Sequence, residues 1–366
     1  GRGDGESTTI WSFNRNDPQC LSKIYSSFSC DSLGYFYGRI TGILGFKPMR
    51  HEGKITGLAA YGNPLIALPI MKKMIEVKEG KLIGNLGDYY RPFFSPYSDQ
   101  LIKELLPFSR EDIAAAAQLH LENCLYELLD FHLKNNEPKA SNLMLAGGVF
   151  GNVKATHVLK NHPRINQVFV QPQMGDGGLC IGAAALLAKQ KGLNISAISN
   201  TYLGPSIEEE SLDALTKELF DITNCDNIEK LICKDLMDEN VIGFARGRME
   251  FGPRALCHRS ILYKTSDKSI NDWLNKRMNR TEFMPFAPVI REETAFKAFK
   301  GFSTLDSTLQ YMTSTIECTE EFIASCPSVA HIDGTARPQI IKKSEDPLMW
   351  NILDSWEKLS GEMSLV

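Results

Sequence analysis

Two segments built to one plan constrain this chain more than anything else in it. The apolar run Asn142-Leu143-Met144-Leu145-Ala146 enters Gly147-Gly148-Val149 and then a helical stretch through Asn152. Val168-Phe169-Val170 meets Pro172, then Gly175-Asp176-Gly177-Gly178 and an alanine-rich helix over Ile181 to Lys189. Strand, glycine turn, helix, given twice, predicts an α/β fold with a nucleotide site. Glycine lets backbone N–H groups come close to a phosphate, and a helix N-terminus adds partial positive charge. Gly147, Gly148, Gly175 and Gly178 are the candidate cradle. Asp176, between glycines at a helix start, has the position of an ordinary N-cap.

The second feature is Arg246 to Ile261, RGRMEFGPRALCHRSI, which sets four arginines around one Gly-Pro corner after the strand-like run Val241 to Ala245. Planar guanidinium forks suit phosphate or carboxylate, and several in one turn repel each other unless an anion lies between them. From Arg246 to Arg291 there are ten Lys or Arg against four Asp or Glu, in a chain of net charge -4. Such local basicity fits a small phosphorylated ligand better than a duplex nucleic acid. The plainer alternative is a salt-bridged surface helix with Glu250 solvated, but Gly252-Pro253 would break that helix.

With 366 residues and 43% hydrophobic content the chain has material for two cores. Nine cysteines without a Cys-x-x-Cys pair indicate neither a zinc ribbon nor a disulfide framework, so reduced thiols and a cytoplasmic setting are expected. No apolar run approaches the roughly 20 residues of a membrane helix, and no charged leader opens the chain.

Elsewhere, Thr8 to Trp11 predicts a strand after a glycine-rich turn. Ser109 and the acids after it predict a capped helix to about Asn135, with His120 on its apolar stripe as a hydrogen-bonded core residue. Lys72 to Gln100 reads as turn-rich. Leu193 to Pro205 is the expected domain boundary, followed by helices over Glu208 to Phe220, Asn227 to Met237 and Asn271 to Arg280.

GRMEFGPRALCHRSI closely resembles the signature of the NodU/CmcH/TobZ-type O-carbamoyltransferases, with Cys257 where the family more often has glycine and His258 where it has Asn or His. Further blocks resemble the same family in the same order. They are Gly1-Arg2-Gly3-Asp4-Gly5, Lys54 with Gly57 to Gly62, GGVFGN, GDGGLCIGAA, Pro285-Phe286-Ala287-Pro288 and His331-Ile332-Asp333-Gly334-Thr335-Ala336-Arg337. Met284 stands where the family has an arginine, which removes one phosphate contact and would leave Arg277, Arg280 or Asn279 to serve. The opening glycine turn lacks the family's leading Asp, and the family's Asn-Thr-Ser-Phe-Asn-type segment is missing after Arg337. The chain is therefore expected to be incomplete at both ends.

The resemblance implies an α/β fold with an actin-like, Kae1-like carbamoyl-transfer domain over 1–200 and an α+β YrdC-like domain over 201–366. In the latter, carbamoyl phosphate and ATP would give carbamoyl adenylate and pyrophosphate. The former would pass the carbamoyl group to a hydroxyl of a small acceptor. Arg248, Arg254, Arg259, Ser260, Arg337 and Lys54 would be catalytic. Gly3, Asp4, Gly147, Gly148, Asn152, Gly175, Gly178, Arg277, Arg280 and His331 would hold the cofactor. Asp176 would ligate a divalent metal, iron or magnesium, whose partner histidines lie in an HxxxH motif that this chain lacks. His331 could instead only pin its turn, and Lys54 could be an ordinary exposed lysine. The expected partners are the small acceptor and a second copy of the chain, not nucleic acid or membrane. A nucleotide-binding scaffold and a threonylcarbamoyl-type tRNA enzyme are the alternatives.

Overall fold

A computed structural model describes residues 5–14, 21–91, 95–136, 141–196, 198–207, 220, 223–279 and 283–366. Gly3, Asp4, Arg280 and most of the helix expected over Glu208 to Phe220 lie outside these. The chain forms two compact units, one of Gly1–Leu143, Gly147–Val168 and Thr281–Met284, the other of Met144–Ala146, Phe169–Arg280 and Pro285–Val366.

In the first unit an antiparallel pair, β1 (Glu6–Phe13) and β2 (Leu21–Phe28), precedes helices α1 (Leu33–Ile43), α2 (Glu52–Leu58) and α3 (Pro64–Lys72). The stretch Lys72 to Gln100, expected to be only turns, contains a hairpin, β3 (Ile75–Lys78) and β4 (Lys81–Gly84). Its two-residue loop puts Glu79 at φ 49° and Gly80 at φ 71°, the left-handed pair that a tight hairpin requires. After α4 (Asp99–Leu105) comes α5 (Arg110–Asn136), about 40 Å long at 1.5 Å per residue and packed on α1, α2 and α3. Ser109 Oγ accepts the Asp112 N–H at 3.0 Å at its start. Four successive buried alanines, Ala114 to Ala117, keep the helix slim enough for neighbours to approach. At Gly62 a Cβ would lie 2.1 Å from the Glu111 carbonyl oxygen, so only glycine fits. His120 is buried as expected, its Nε2 2.7 Å from the Ile75 carbonyl, and burial pushes its pKa down.

Strands β5 (Ser141–Leu145) and β6 (Ile165–Val170) run through the division between the units, with α6 (Val153–Lys160) between them in sequence. The second unit then has α7 (Leu179–Gln190), α8 (Ile228–Met237), β7 (Ile242–Ala245), β8 (Arg259–Leu262), α9 (Ile270–Arg277), β9 (Val289–Arg291) and α10 (Glu292–Ala298). It ends with β10 (Ile316–Glu317), α11 (Glu320–Ser325), β11 (Thr335–Ala336), β12 (Gln339–Ile341) and α12 (Pro347–Ser360). The β7–β8 hairpin is antiparallel and β9 is parallel to β12. Leu365 bridges Lys264 on one side and Val289 on the other, which stitches the two pairs together. Alternation along the strands feeds two cores. Val289, Ile341, Phe244 and Leu262 pack with α8 and α12, whereas Ile290, Ile340 and Tyr263 pack with α9, α10 and α11. This is a mixed α/β unit whose strands are covered on both faces. Among the described residues no helix is long and apolar enough to cross a membrane.

Candidate functional site: the arginine loop and the glycine turns

In the second unit, register Ala245↔Arg259 and Phe244↔Ser260 leaves residues 246–258 as the loop between β7 and β8. An acid organises it. Glu250 is 7% exposed, and its Oε1 accepts the backbone N–H groups of Leu256 at 2.7 Å, His258 at 2.8 Å and Arg259 at 3.0 Å. Burial alone would raise its pKa, but these donors outweigh burial and hold it below the usual carboxylate value. The solvated Glu250 of the surface-helix alternative is therefore wrong, because a three-donor cradle forms only where the chain folds back as a loop.

The arginines split into distinct roles. Arg246 pairs with the buried Asp346 and donates to the Cys257 carbonyl at 3.0 Å, and Asp346 also caps α12. Arg248, exposed, donates to the carbonyls of Gly204 at 2.9 Å and Leu203 at 2.7 Å. Arg259 donates to those of Arg246 and His258 at 2.7 Å and Gly247 at 3.0 Å. Arg254 is poorly hydrated, which pushes its guanidinium pKa down. Ser260 Oγ accepts the Cys257 N–H at 3.0 Å. Carbonyls thus hold Arg248 and Arg259, and an anionic oxygen is the stronger acceptor for the same forks.

Cys257 has φ 68°, in the left-handed region where glycine is at ease. Its buried thiol lies 3.2 Å from Gln339 Oε1 on β12. Two residues upstream of Gln339 stands Arg337. His331 is buried, its N–H donating to the Thr335 carbonyl at 2.7 Å and its Nδ1 3.1 Å from Thr335 Oγ1, so it does pin the turn before β11.

Tyr202 was not predicted. Its ring stacks on His258 with centroids 3.5 Å apart and planes 4° off parallel, while its hydroxyl donates to the Leu256 carbonyl at 3.0 Å. His258 Nδ1 lies 2.7 Å from the Arg248 carbonyl, and burial pushes its pKa down, so the neutral ring donates there and leaves Nε2 as an acceptor. Strand-like bonds between residues 201–206 and 248–251 fix this arrangement, and the only sequence hint was an aromatic beside Gly204-Pro205.

The second glycine turn belongs to this unit too. A Cβ on Gly252 would lie 3.1 Å from the Pro172 carbonyl oxygen, so the arginine loop rests on the segment that enters the Gly175 to Gly178 turn. A Cβ on Gly178 would lie 2.0 Å from the Gln173 carbonyl oxygen, whereas Gly175 has open space. Asp176 does not cap α7; it sits exposed in a short 3-10 turn, because the helix begins at Leu179 and Gly178 holds the cap position. Among the described residues no three His, Cys, Asp or Glu gather where a metal could bind. The residues present do not fit a resident metal, since Asp176 alone offers one ligand.

In the first unit, Gly147 has φ 119° and, like Gly148, open space where a side chain would be. Asn152 caps α6 by accepting the Ala155 N–H at 3.1 Å. Its amide donates to Gln118 Oε1 at 2.8 Å and Thr56 Oγ1 at 3.2 Å, and its Oδ1 accepts from Gln118 at 3.1 Å. Tyr37 donates to Gln118 Oε1 at 2.7 Å, and Gln118 donates to Glu122 at 2.7 Å. Burial raises the pKa of both Tyr37 and Glu122. Tyr37, Thr56 and Gln118 were invisible as a set because they come from three helices. Asn152→Ala removes a cap and leaves buried partners unsatisfied, with an expected loss of about 2–4 kcal/mol, read from the midpoint of a urea titration.

Lys54 is 8% exposed, which overturns its reading as an ordinary surface lysine. It stands one helical turn before Gly57, where a Cβ would meet Met284 N at 2.9 Å. Its ammonium is 5.8 Å from the Phe46 ring centre, Arg110 is 4.7 Å from the same ring, and Phe283 meets that ring edge-on. The site therefore holds a cationic pair around Phe46. Arg277 lies at the end of α9 over the Trp273 ring, 5.4 Å away.

An arginine loop thus rests against the segment that enters a glycine turn, within the second unit. The chain belongs to the carbamoyltransferase family: residues 1–185 match the model of the carbamoyltransferase N-terminus and residues 233–366 that of the C-terminus. It is 33% identical to an uncharacterized protein of Methanocaldococcus jannaschii over 96% of this chain and 68% of that one. It is 29% identical to nodulation protein NolO of Bradyrhizobium diazoefficiens over 92% of this chain and 62% of the relative. With nodulation protein U of Sinorhizobium fredii it shares 31% identity over 69% of this chain and 43% of the relative. Alignments thus span from under half to about two thirds of these relatives' lengths.

Proposed function

We propose that the chain carries the activity of an ATP-dependent O-carbamoyltransferase of the NodU type, with an actin-like, Kae1-like first part and a YrdC-like second part. The observation that carries this reading is the contact of Gly252 with Pro172, which joins an arginine-rich loop to a glycine turn within one unit. In the first step one water hydrolyses carbamoyl phosphate to carbamate and inorganic phosphate. A carbamate oxygen then attacks the α-phosphorus of ATP and expels pyrophosphate, giving carbamoyl adenylate. Arg248, Arg254, Arg259 and Arg337 neutralise the phosphoryl charge, the first and third exchanging carbonyl partners for phosphate oxygens. Ser260 holds the loop through Cys257. In the second step an acceptor hydroxyl attacks the carbamoyl carbon and releases AMP. Lys54, set among aromatic rings, would favour the departing anion.

The test is ATP–pyrophosphate exchange with carbamoyl phosphate present. The unaltered chain is expected to exchange label, and Arg254→Ala to lose at least a hundredfold. Exchange retained by Arg254→Ala would remove that residue from the site, and no exchange with the unaltered protein would refute the reading.

A further inference from the structure

In the first unit, the turn over residues 147–152 is bare at its start and tied down at its end. A Cβ on Gly147, Gly148 or Gly151 would have nothing within 4 Å of it, so the backbone there is open to a ligand. Asn152 closes the turn, its N–H donating to the Val149 carbonyl at 3.0 Å. Its side-chain N–H groups go to Gln118 Oε1 and Thr56 Oγ1, while its Oδ1 accepts from Gln118 and from the Ala155 N–H. The two amides therefore meet in a reciprocal pair, with bonds of 2.8 and 3.1 Å. Gln118, buried on α5, is equally committed: its second N–H donates to Glu122, and its carbonyl accepts again from Tyr37. An amide offers two donors and two acceptor lone pairs, so neither side chain has a bond left for a ligand.

We propose that Gln118 is a positioning residue for carbamoyl transfer, its amide pair with Asn152 holding the 147–152 turn in the shape that receives the adenylate. The inference rests on the reading above that a carbamoyl group passes from carbamoyl adenylate to a hydroxyl. It moves Asn152 from touching the cofactor to shaping the backbone that does. A turn with three glycines in six residues has much backbone freedom to lose, and whatever orders it before the ligand arrives lowers the cost of binding. One hydrogen bond would let either amide swivel, whereas two opposed bonds fix both planes. The anchors reach the turn from outside its own sequence, Tyr37 from α1, Thr56 from α2 and Gln118 from α5. Helix α1 also meets the turn directly, since a Cβ on Gly34 would lie 3.4 Å from Val149 Cγ2.

Amide hydrogen exchange of residues 147–152 with and without AMP tests this in the unaltered protein, Gln118→Leu and Gln118→Glu, beside ATP–pyrophosphate exchange. AMP is expected to slow hydrogen exchange in the turn at least fivefold in the unaltered protein and less than twofold in Gln118→Leu. ATP–pyrophosphate exchange, the first-step reaction of the other part, stays within twofold. Gln118→Glu controls for packing, because a protonated carboxyl re-forms the reciprocal pair and an ionised one has no donor for Asn152 Oδ1. The titratable and charged groups around it are Tyr37 on α1, Glu52 on α2, Glu122 on α5 and Lys154 on α6, and burial beside two acids raises the pKa of a carboxyl. Protection by AMP is therefore expected in Gln118→Glu at about pH 5.5 and lost at about pH 8.5, with the unaltered protein protected at both. Protection kept by Gln118→Leu overturns the inference, and so does a Gln118→Glu protein that behaves alike at the two pH values. An unaltered protein that exchanges pyrophosphate label but gains no protection from AMP also overturns it and leaves the transferase reading intact. Failure of label exchange in the unaltered protein refutes that reading itself, and this inference with it.

Discussion

Glu250→Ala lowers the stability of the second unit by about 3 kcal/mol, because three buried backbone donors lose their acceptor together. For a unit of this size that is roughly 6–12 °C in melting temperature, measurable by calorimetry. The proposed exchange activity is expected to fall with it, since Arg248 and Arg254 leave from the loop that Glu250 holds and the Arg259 N–H donates to Glu250. The pH dependence has a definite sign. A carboxyl held below its unfolded value contributes stability that is fully present above that value, 4.5, and is lost as pH falls through the folded one. Acid melts of the unaltered protein therefore steepen below pH 4.5, and Glu250→Gln flattens that limb. Identical acid limbs in the two proteins would show that Glu250 does not govern the loop.

Gly178→Ala is expected to cost more than about 3 kcal/mol, because the added methyl would lie 2.0 Å from a backbone carbonyl oxygen that cannot turn aside. Gly175→Ala, three residues away in open space at φ -84°, is expected to change stability by less than about 0.5 kcal/mol. The pair is informative because the two glycines are equivalent in the motif. If both substitutions destabilise equally, the turn demands glycine for backbone freedom; the expected asymmetry assigns the demand to one close approach. Amide exchange of residues 172–180 locates the damage.

What could be read in advance was whatever a residue shows through its own neighbours. The helix from Ser109, the hydrogen-bonded His120 and the strand before the arginine loop all depend on spacing within one segment. The loop's logic does not. The surface-helix alternative left Glu250 solvated because its donors are its own successors folded back on it. The exposed-lysine alternative for Lys54 arose because the ring beside its ammonium, Phe46, comes from outside its helix. The β3–β4 hairpin had a Glu-Gly turn between alternating strands and was hidden by nearby aromatic and proline residues. Cys257 is the mixed case, since the resemblance marked the place as unusual and only the backbone angle explains it.

Burial of Cys257, which pushes its thiol pKa up, has a practical outcome. Cys180, exposed in the first turn of α7, is four residues from Asp176. With Cys20, Cys30 and Cys225 exchanged for serine, a maleimide fluorophore would attach at Cys180 and leave the arginine loop unlabelled. Such a reporter would test the proposed arrival of nucleotide beside the glycine turn without any radioactive substrate.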